Sequence, residues 1–66
     1  MLFVYIESTN DEVFDVLLSP IAPDNEGVEK PLLIGAYATR YGANTRAQAL
    51  ADTLRCGGAE VQLDLA

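Results

Sequence analysis

The chain has 66 residues, half of them hydrophobic, so it is long enough for one small domain and too apolar for a disordered segment. Ten acidic residues against four basic ones give a formal net charge of −6, which opposes binding to nucleic acid or to an anionic membrane. The lack of histidine and the single cysteine, Cys56, exclude a histidine general base, an internal disulfide and the usual kind of zinc site.

Two strands are predicted in the N-terminal third. Residues 2–7 (LFVYIE) are rich in β-branched and aromatic side chains and predict the first strand. Residues 12–21 fit two structures. As a strand they would form a hairpin with the first, and the prolines that follow would cut a helix short. As a helix they would present an apolar stripe behind a capping box at Thr9 and Glu12. We favour the strand.

A loop and a third strand follow. The composition of residues 22–30, with Pro, Asp, Asn and Gly together, predicts an acidic loop. Residues 32–41 predict a strand whose side chains alternate between two faces. One face would carry Leu32, Ile34, Ala36 and Ala38, and the other Leu33, Gly35, Tyr37, Thr39 and Tyr41.

The helix is predicted between residues 44 and 58. Its apolar stripe consists of Ala47, Leu50, Ala51 and Leu54, spaced as one helical face. Thr45 and Gln48 form a capping box, with Asn44 as a rival N-cap, and the Gly57–Gly58 pair fits a left-handed C-cap. We expect Cys56 to be a small buried apolar residue. Residues 59–65 alternate and predict a last strand.

These elements predict an α+β fold of a single domain, residues 1–66. A small, largely antiparallel sheet in the order β-β-β-α-β would carry one helix on one face, and the alternative is β-α-β-α-β. The helix would cover Val4, Ile6, Phe14, Val16, Ile34, Ala36, Val61 and Leu63. The opposite sheet face would hold Phe3, Tyr5, Glu7, Val13, Asp15, Leu17, Tyr37, Thr39, Gln62 and Asp64. That mixture of aromatic, aliphatic and acidic residues is typical of an interaction surface.

No residue pattern indicates catalysis or a cofactor. A cation cluster of Asp11, Glu12 and Asp15 is conceivable, but loop acids in solvent explain these residues better, and the spacing of a calcium loop is absent. The carboxylates of Glu7 and Asp15 could come close on the sheet face, although an acidic chain supplies such pairs by chance. No apolar run has the roughly 20 residues that a membrane span needs, and we expect a cytoplasmic protein.

The charge is unevenly placed along the chain. Residues 1–29 contain seven acids and no base, whereas residues 30–58 contain all four bases and one acid. The short domain, the base-free acidic run, the missing catalytic residues and the α+β layout give a profile that resembles the small acidic phage anti-CRISPR proteins of the DNA-mimic type. The basic stretch around Arg40, Arg46 and Arg55 departs from a uniformly acidic mimic and leaves one that uses a single face.

This resemblance implies a non-enzymatic inhibitor in a bacterial host cell. It would bind a basic protein or nucleoprotein complex, such as a CRISPR effector, and block target DNA binding without contacting nucleic acid or membrane itself. The alternative is a homodimeric or accessory protein-interaction module. The expected partner-binding residues are Tyr5, Glu7, Asp11, Glu12, Asp15, Asp24, Glu26, Glu29 and Tyr37.

Overall fold

Four strands and one helix build the fold in a computed structural model that describes residues 1–10, 12–21 and 30–65, without the side chain of Thr9. In chain order they are β1 (Leu2–Asn10), β2 (Val13–Ser19), β3 (Leu32–Tyr37), α1 (Arg40–Cys56) and β4 (Val61–Asp64). The predicted α+β fold and its β-β-β-α-β order are confirmed, and residues 12–21 contain a strand instead of the alternative helix.

The strands form one mixed sheet in the order β3-β2-β1-β4. Strand β2 is antiparallel to both β1 and β3, whereas β4 is parallel to β1. Asn10 shapes the β1–β2 turn, because its side-chain oxygen accepts the N–H of Glu12 at 2.9 Å. The parallel pairing of β4 with residues 2–5 of β1 places Asp64, the last residue of β4, beside Tyr5 in the middle of β1.

One face of the sheet packs against α1. Val4 in β1 and Val16 in β2 are completely buried there, and they meet the completely buried Ala43 and Ala47 of the helix. The predicted helical stripe is confirmed and extends one turn further toward the N-terminus, to Ala43. Alanines let the helix approach the sheet closely, but they leave a thin core, since Val4 and Val16 are the largest fully buried side chains among the described residues.

The helix begins five or six residues earlier than its predicted caps indicate. Thr39, not Asn44 or Thr45, is the N-cap, and its hydroxyl oxygen accepts the N–H of Gly42 at 3.0 Å. Gly42 lies in the first turn of the helix.

The C-terminal end matches the predicted glycine cap. Gly58 has a φ of 93°, a left-handed conformation that favours glycine. The N–H of Gly58 donates to the carbonyl of Arg55, and the N–H of Ala59 donates to that of Leu54. These two bonds are the pattern of a Schellman motif, which ends the helix and turns the chain toward β4.

The prediction for Cys56 was wrong, because its side chain is exposed. It lies off the stripe that packs on the sheet.

Strand β3 departs from the predicted alternation. The β2–β3 pairing shifts between Val16 and Leu17, so that Ile34 is an extra residue on β3, a β-bulge. Beyond the bulge the faces exchange. Tyr37 therefore packs on the helix side with the core, and Ala36 lies exposed beside Asp15 on the other side, so both placements in the sequence prediction were wrong.

Candidate interaction surface

The sheet face away from the helix is the candidate functional surface, and we call it the open face. Its members are identified by strand register, because side chains of paired residues point to the same side of a sheet. Starting from Tyr5, the pairings give Phe3, Tyr5 and Glu7 on β1, Asp15, Leu17 and Ser19 on β2, Leu33 and Ala36 on β3, and Gln62 and Asp64 on β4.

These residues form three rows across the strands. The middle row runs from Asp64 through Tyr5 and Leu17 to Leu33. A second row places Glu7 directly beside Asp15, followed by Ala36, and the third contains Gln62, Phe3 and Ser19. The open face thus carries three carboxylates and no basic side chain, around an aromatic and aliphatic centre.

Tyr5 lies at the centre of this surface, between strands β2 and β4. Its ring is half-buried, and the pKa of its hydroxyl is raised above the ordinary value of 10.0, mainly by burial and further by the nearby carboxylate of Glu7. Tyr5, Glu7 and Asp64 also line a concave region of about 360 Å³ where β4 ends beside the middle of β1, together with Ile6 and Leu65. The arrangement is a polar groove with an aromatic wall and negative charge on two sides.

The arginines lie in the other layer of the structure. Arg40, Arg46 and Arg55 all belong to α1, which packs on the opposite side of the sheet from the open face. Arg40 lies over the Phe14 ring, 6.0 Å from its centroid. Arg55 donates to the carbonyl of Val61 at 2.9 Å. The three arginines and the carboxylates of Glu7, Asp15 and Asp64 therefore lie in different layers of the described structure.

The predicted partner-binding residues divide into three groups. Tyr5, Glu7 and Asp15 come together on the open face. Glu12 is exposed in the turn between β1 and β2, whereas Tyr37 lies on the helix side because of the bulge. The remaining predicted residues, Asp11, Asp24, Glu26 and Glu29, lie outside the described residues.

Sequence reasoning missed three members of this surface as partner-binding residues. Asp64 was expected on the face but not as a contact, and only its parallel pairing with Tyr5 shows that it completes the acidic groove. Leu33 was likewise expected on this side of β3 but not as a contact, whereas Ala36 reaches the open face only because of the bulge. Gly35 was the available signal, because a glycine inside a strand often marks a bulge or a close approach. A Cβ at Gly35 would lie 3.1 Å from the Tyr37 ring.

A second concave region of about 410 Å³ lies on the outer side of the helix, lined by Tyr41, Asn44, Thr45, Gln48, Ala49 and Asp52. Two of its lining residues bond to each other, since the Gln48 side chain donates to the Asp52 carboxylate at 3.0 Å. Across residues 1–10, 12–21 and 30–65, no three acidic or cysteine side chains are grouped as a metal site, and no helix is long and apolar enough to cross a membrane.

Comparisons with protein-family models, with curated proteins and with solved structures gave no match to this chain.

Proposed function

We propose that this protein is a non-enzymatic inhibitor that binds a basic, nucleic-acid-handling protein through its open face. The observation that carries this proposal is the grouping of Glu7, Asp15 and Asp64 around Tyr5 on one sheet surface that has no base. A bacterial CRISPR effector complex is the concrete target, and the acidic face would occupy a groove that otherwise binds DNA phosphates.

The chemistry of the face suits lysine and arginine side chains. Carboxylates accept charge-assisted hydrogen bonds from ammonium and guanidinium groups, as phosphate oxygens do. Tyr5 lines the same groove as Glu7 and Asp64, and its aromatic ring can attract a guanidinium. A partner cation placed there would contact two carboxylates and one aromatic ring at once.

The separation of charge between the layers supports a one-sided inhibitor. With the arginines on α1, the acidic face can meet a basic groove while the helix layer points away from it. Attraction between the acidic face and a basic partner would increase the rate of encounter, and the partly buried aromatic residues would slow dissociation.

A homodimer formed through the open face is less well supported. Two sheets packed face to face lie roughly 10 Å apart, so such a dimer would bring three carboxylates of each copy toward those of the other. An accessory module that binds another protein through Leu33 is the second candidate, since Leu33 is exposed on this face beside the buried Leu17.

Two paired variants test the proposal. Glu7→Gln with Asp15→Asn removes two charges from the open face, and Asp52→Asn with Glu60→Gln removes two charges elsewhere. Both variants carry the same net charge. We expect the wild-type protein and the Asp52/Glu60 variant to prevent a purified CRISPR effector complex from binding target DNA. The Glu7/Asp15 variant should inhibit at least about tenfold more weakly, because each charge-assisted hydrogen bond contributes roughly 1.5–3 kcal/mol.

Circular dichroism of both variants serves as the folding control. Equal loss of inhibition in the two variants would show that total charge matters and not the open face. Full inhibition by the Glu7/Asp15 variant would remove the open face from the contact, and failure of the wild type against a panel of effectors would contradict the choice of target.

A further inference from the structure

The two edges of the sheet differ in how well they are protected. Strand β4 spans only Val61–Asp64, and the carbonyl of Val61 is already occupied by the Arg55 side chain. Strand β3 spans Leu32–Tyr37 and contains neither a charge nor a proline. Within the described part of the chain nothing pairs with its outer edge. Natural proteins usually protect such an edge with charge, proline, a short strand or a cover.

Exposed leucines lie on this same strand. Leu32 is 61% exposed and Leu33 is 56% exposed, which makes them two of the five large exposed hydrophobic residues in the described part of the chain. Leu33 belongs to the open face, where it pairs with the buried Leu17. An added strand beside β3 would cover apolar side chains as well as unpaired backbone.

The direction of the backbone groups follows from the register. The N–H of Leu2 donates to Glu60, toward β4, so the backbone groups of the odd-numbered β1 residues point toward β2. The backbone N–H and carbonyl groups of Glu7 and Asp15 therefore bond to each other between β1 and β2. As a result, the backbone groups of Asp15 point away from β3. Its partner Ala36 must then direct its own N–H and carbonyl outward, at the free edge.

We propose that β3 pairs antiparallel with β3 of a second copy of this chain and forms a continuous eight-stranded sheet. The first argument for a second copy is the need for burial. A chain of this length buries about 60% of the surface of its unfolded form, less than a larger domain does. Among the described residues, the largest completely buried side chains are two valines. Small domains commonly gain the missing stability from oligomerisation.

The second argument is electrostatic. Across a β3–β3 seam the two copies of Asp15 would be separated by three strand spacings, about 14 Å. This exceeds the screening length of about 8 Å at physiological salt. Strand β3 itself is uncharged, so two copies of a chain with a net charge of −6 can meet there without bringing the carboxylates of the open-face strands together. The symmetry axis of such a pair is perpendicular to the sheet, so both open faces lie on the same side.

The test is the mass of the purified protein in solution, measured by sedimentation in a Cys56→Ser background that rules out disulfide-linked pairs. We expect a reversible dimer. Leu33→Lys, which places a charge at the seam, should give a folded monomer by circular dichroism. Leu65→Lys is the matched control, because Leu65 is also exposed but lies outside β3, and this variant should remain dimeric.

Ala36→Pro provides a second variant, because it removes an N–H that points out of the sheet and spares the β2–β3 hydrogen bonds. It should also give a monomer. A wild-type protein that stays monomeric at the highest measurable concentration would overturn the proposal, as would a dimer that survives both β3 substitutions. The β3–β3 dimer should persist in high salt, whereas binding of the open face to a basic partner should weaken. The dimer and the inhibitor proposal can therefore fail separately.

Discussion

Glu7 and Asp15 show how a single pair of residues can work against the stability of the fold. They are directly opposed on antiparallel strands, and like charges in this position are destabilising. No described base lies beside them on the open face. A pair of this kind is typical of a surface that is completed by a cation from elsewhere, because a partner's lysine or arginine would relieve the repulsion.

We expect Glu7→Gln to stabilise the isolated protein while it weakens partner binding. The gain should be modest, about 0.2–1 kcal/mol, which is the usual size of a cross-strand pair effect. Thermal unfolding measures it, with Glu60→Gln as a control that makes the same change away from Asp15. If the two variants melt alike, the repulsion between Glu7 and Asp15 is negligible.

The Tyr5 hydroxyl reports the same environment. Its pKa in the folded protein lies above the ordinary value of 10.0, so the unfolded chain loses this proton first as pH rises. The stability that the neutral hydroxyl contributes is complete below pH 10 and is lost as pH rises through the folded-state pKa.

We expect Glu7→Gln to lower the pKa of Tyr5 only part of the way, since burial is the larger cause and remains. NMR titration of the tyrosine ring carbons measures this. An unchanged pKa would show that Glu7 does not act on the ring.

The ends of α1 show, at the scale of an element, where sequence reasoning succeeded and where it failed. The apolar stripe and the glycine pair predicted the helix and its C-terminal end, because both depend on local periodicity and backbone freedom. The N-terminal end was misplaced, because Thr39, Asn44 and Thr45 are all competent caps. Tertiary packing of Ala43 against the sheet decided among them.

Two threonine variants test this N-cap. Thr39→Ala should cost about 0.5–2 kcal/mol, because the N–H of Gly42 loses its acceptor. Thr45→Ala, at the predicted cap, should change stability little, since Thr45 is an exposed residue inside the helix. Chemical denaturation of both variants gives the comparison. A larger loss for Thr45→Ala would restore the later start of the helix.

Two glycine variants test the other end. Gly58→Ala should destabilise the fold by about 1–2 kcal/mol, because its φ of 93° disfavours a side chain even though no atom lies within 4 Å of the added Cβ. Gly57→Ala should be nearly neutral, because Gly57 has an ordinary φ of −80° and the nearest atom to its added Cβ lies at 3.4 Å. The same denaturation experiment applies, and equal costs would contradict the left-handed cap.

The bulge in β3 is the feature that alternation could not predict. One extra residue exchanges the faces of every residue beyond it, and it moved Tyr37 from the open face to the core. Tyr5, Glu7 and Asp15 were placed correctly, because β1 and β2 pair regularly between the pair Phe3–Ser19 and the pair Ser8–Phe14. The acidic surface was therefore predictable where pairing is regular, and its β3 border was not.

At the scale of the whole molecule, the proposed dimer would account for both the thin core and the free β3 edge of the described structure. For such a protein the melting temperature depends on concentration, because dissociation accompanies unfolding. A tenfold dilution lowers the stability of a dimer by about 1.4 kcal/mol, or about 0.7 kcal/mol for each chain. For a domain of this size that corresponds to about 3–5 °C.

We expect this shift for the wild type and for Leu65→Lys, and none for Leu33→Lys, which should melt lower at every concentration. Calorimetry over a hundredfold range of concentration makes the comparison. A wild-type melting temperature that does not move with dilution would mean that the single chain is stable with the thin core that the described residues form, and that the β3 edge is left open for some other purpose.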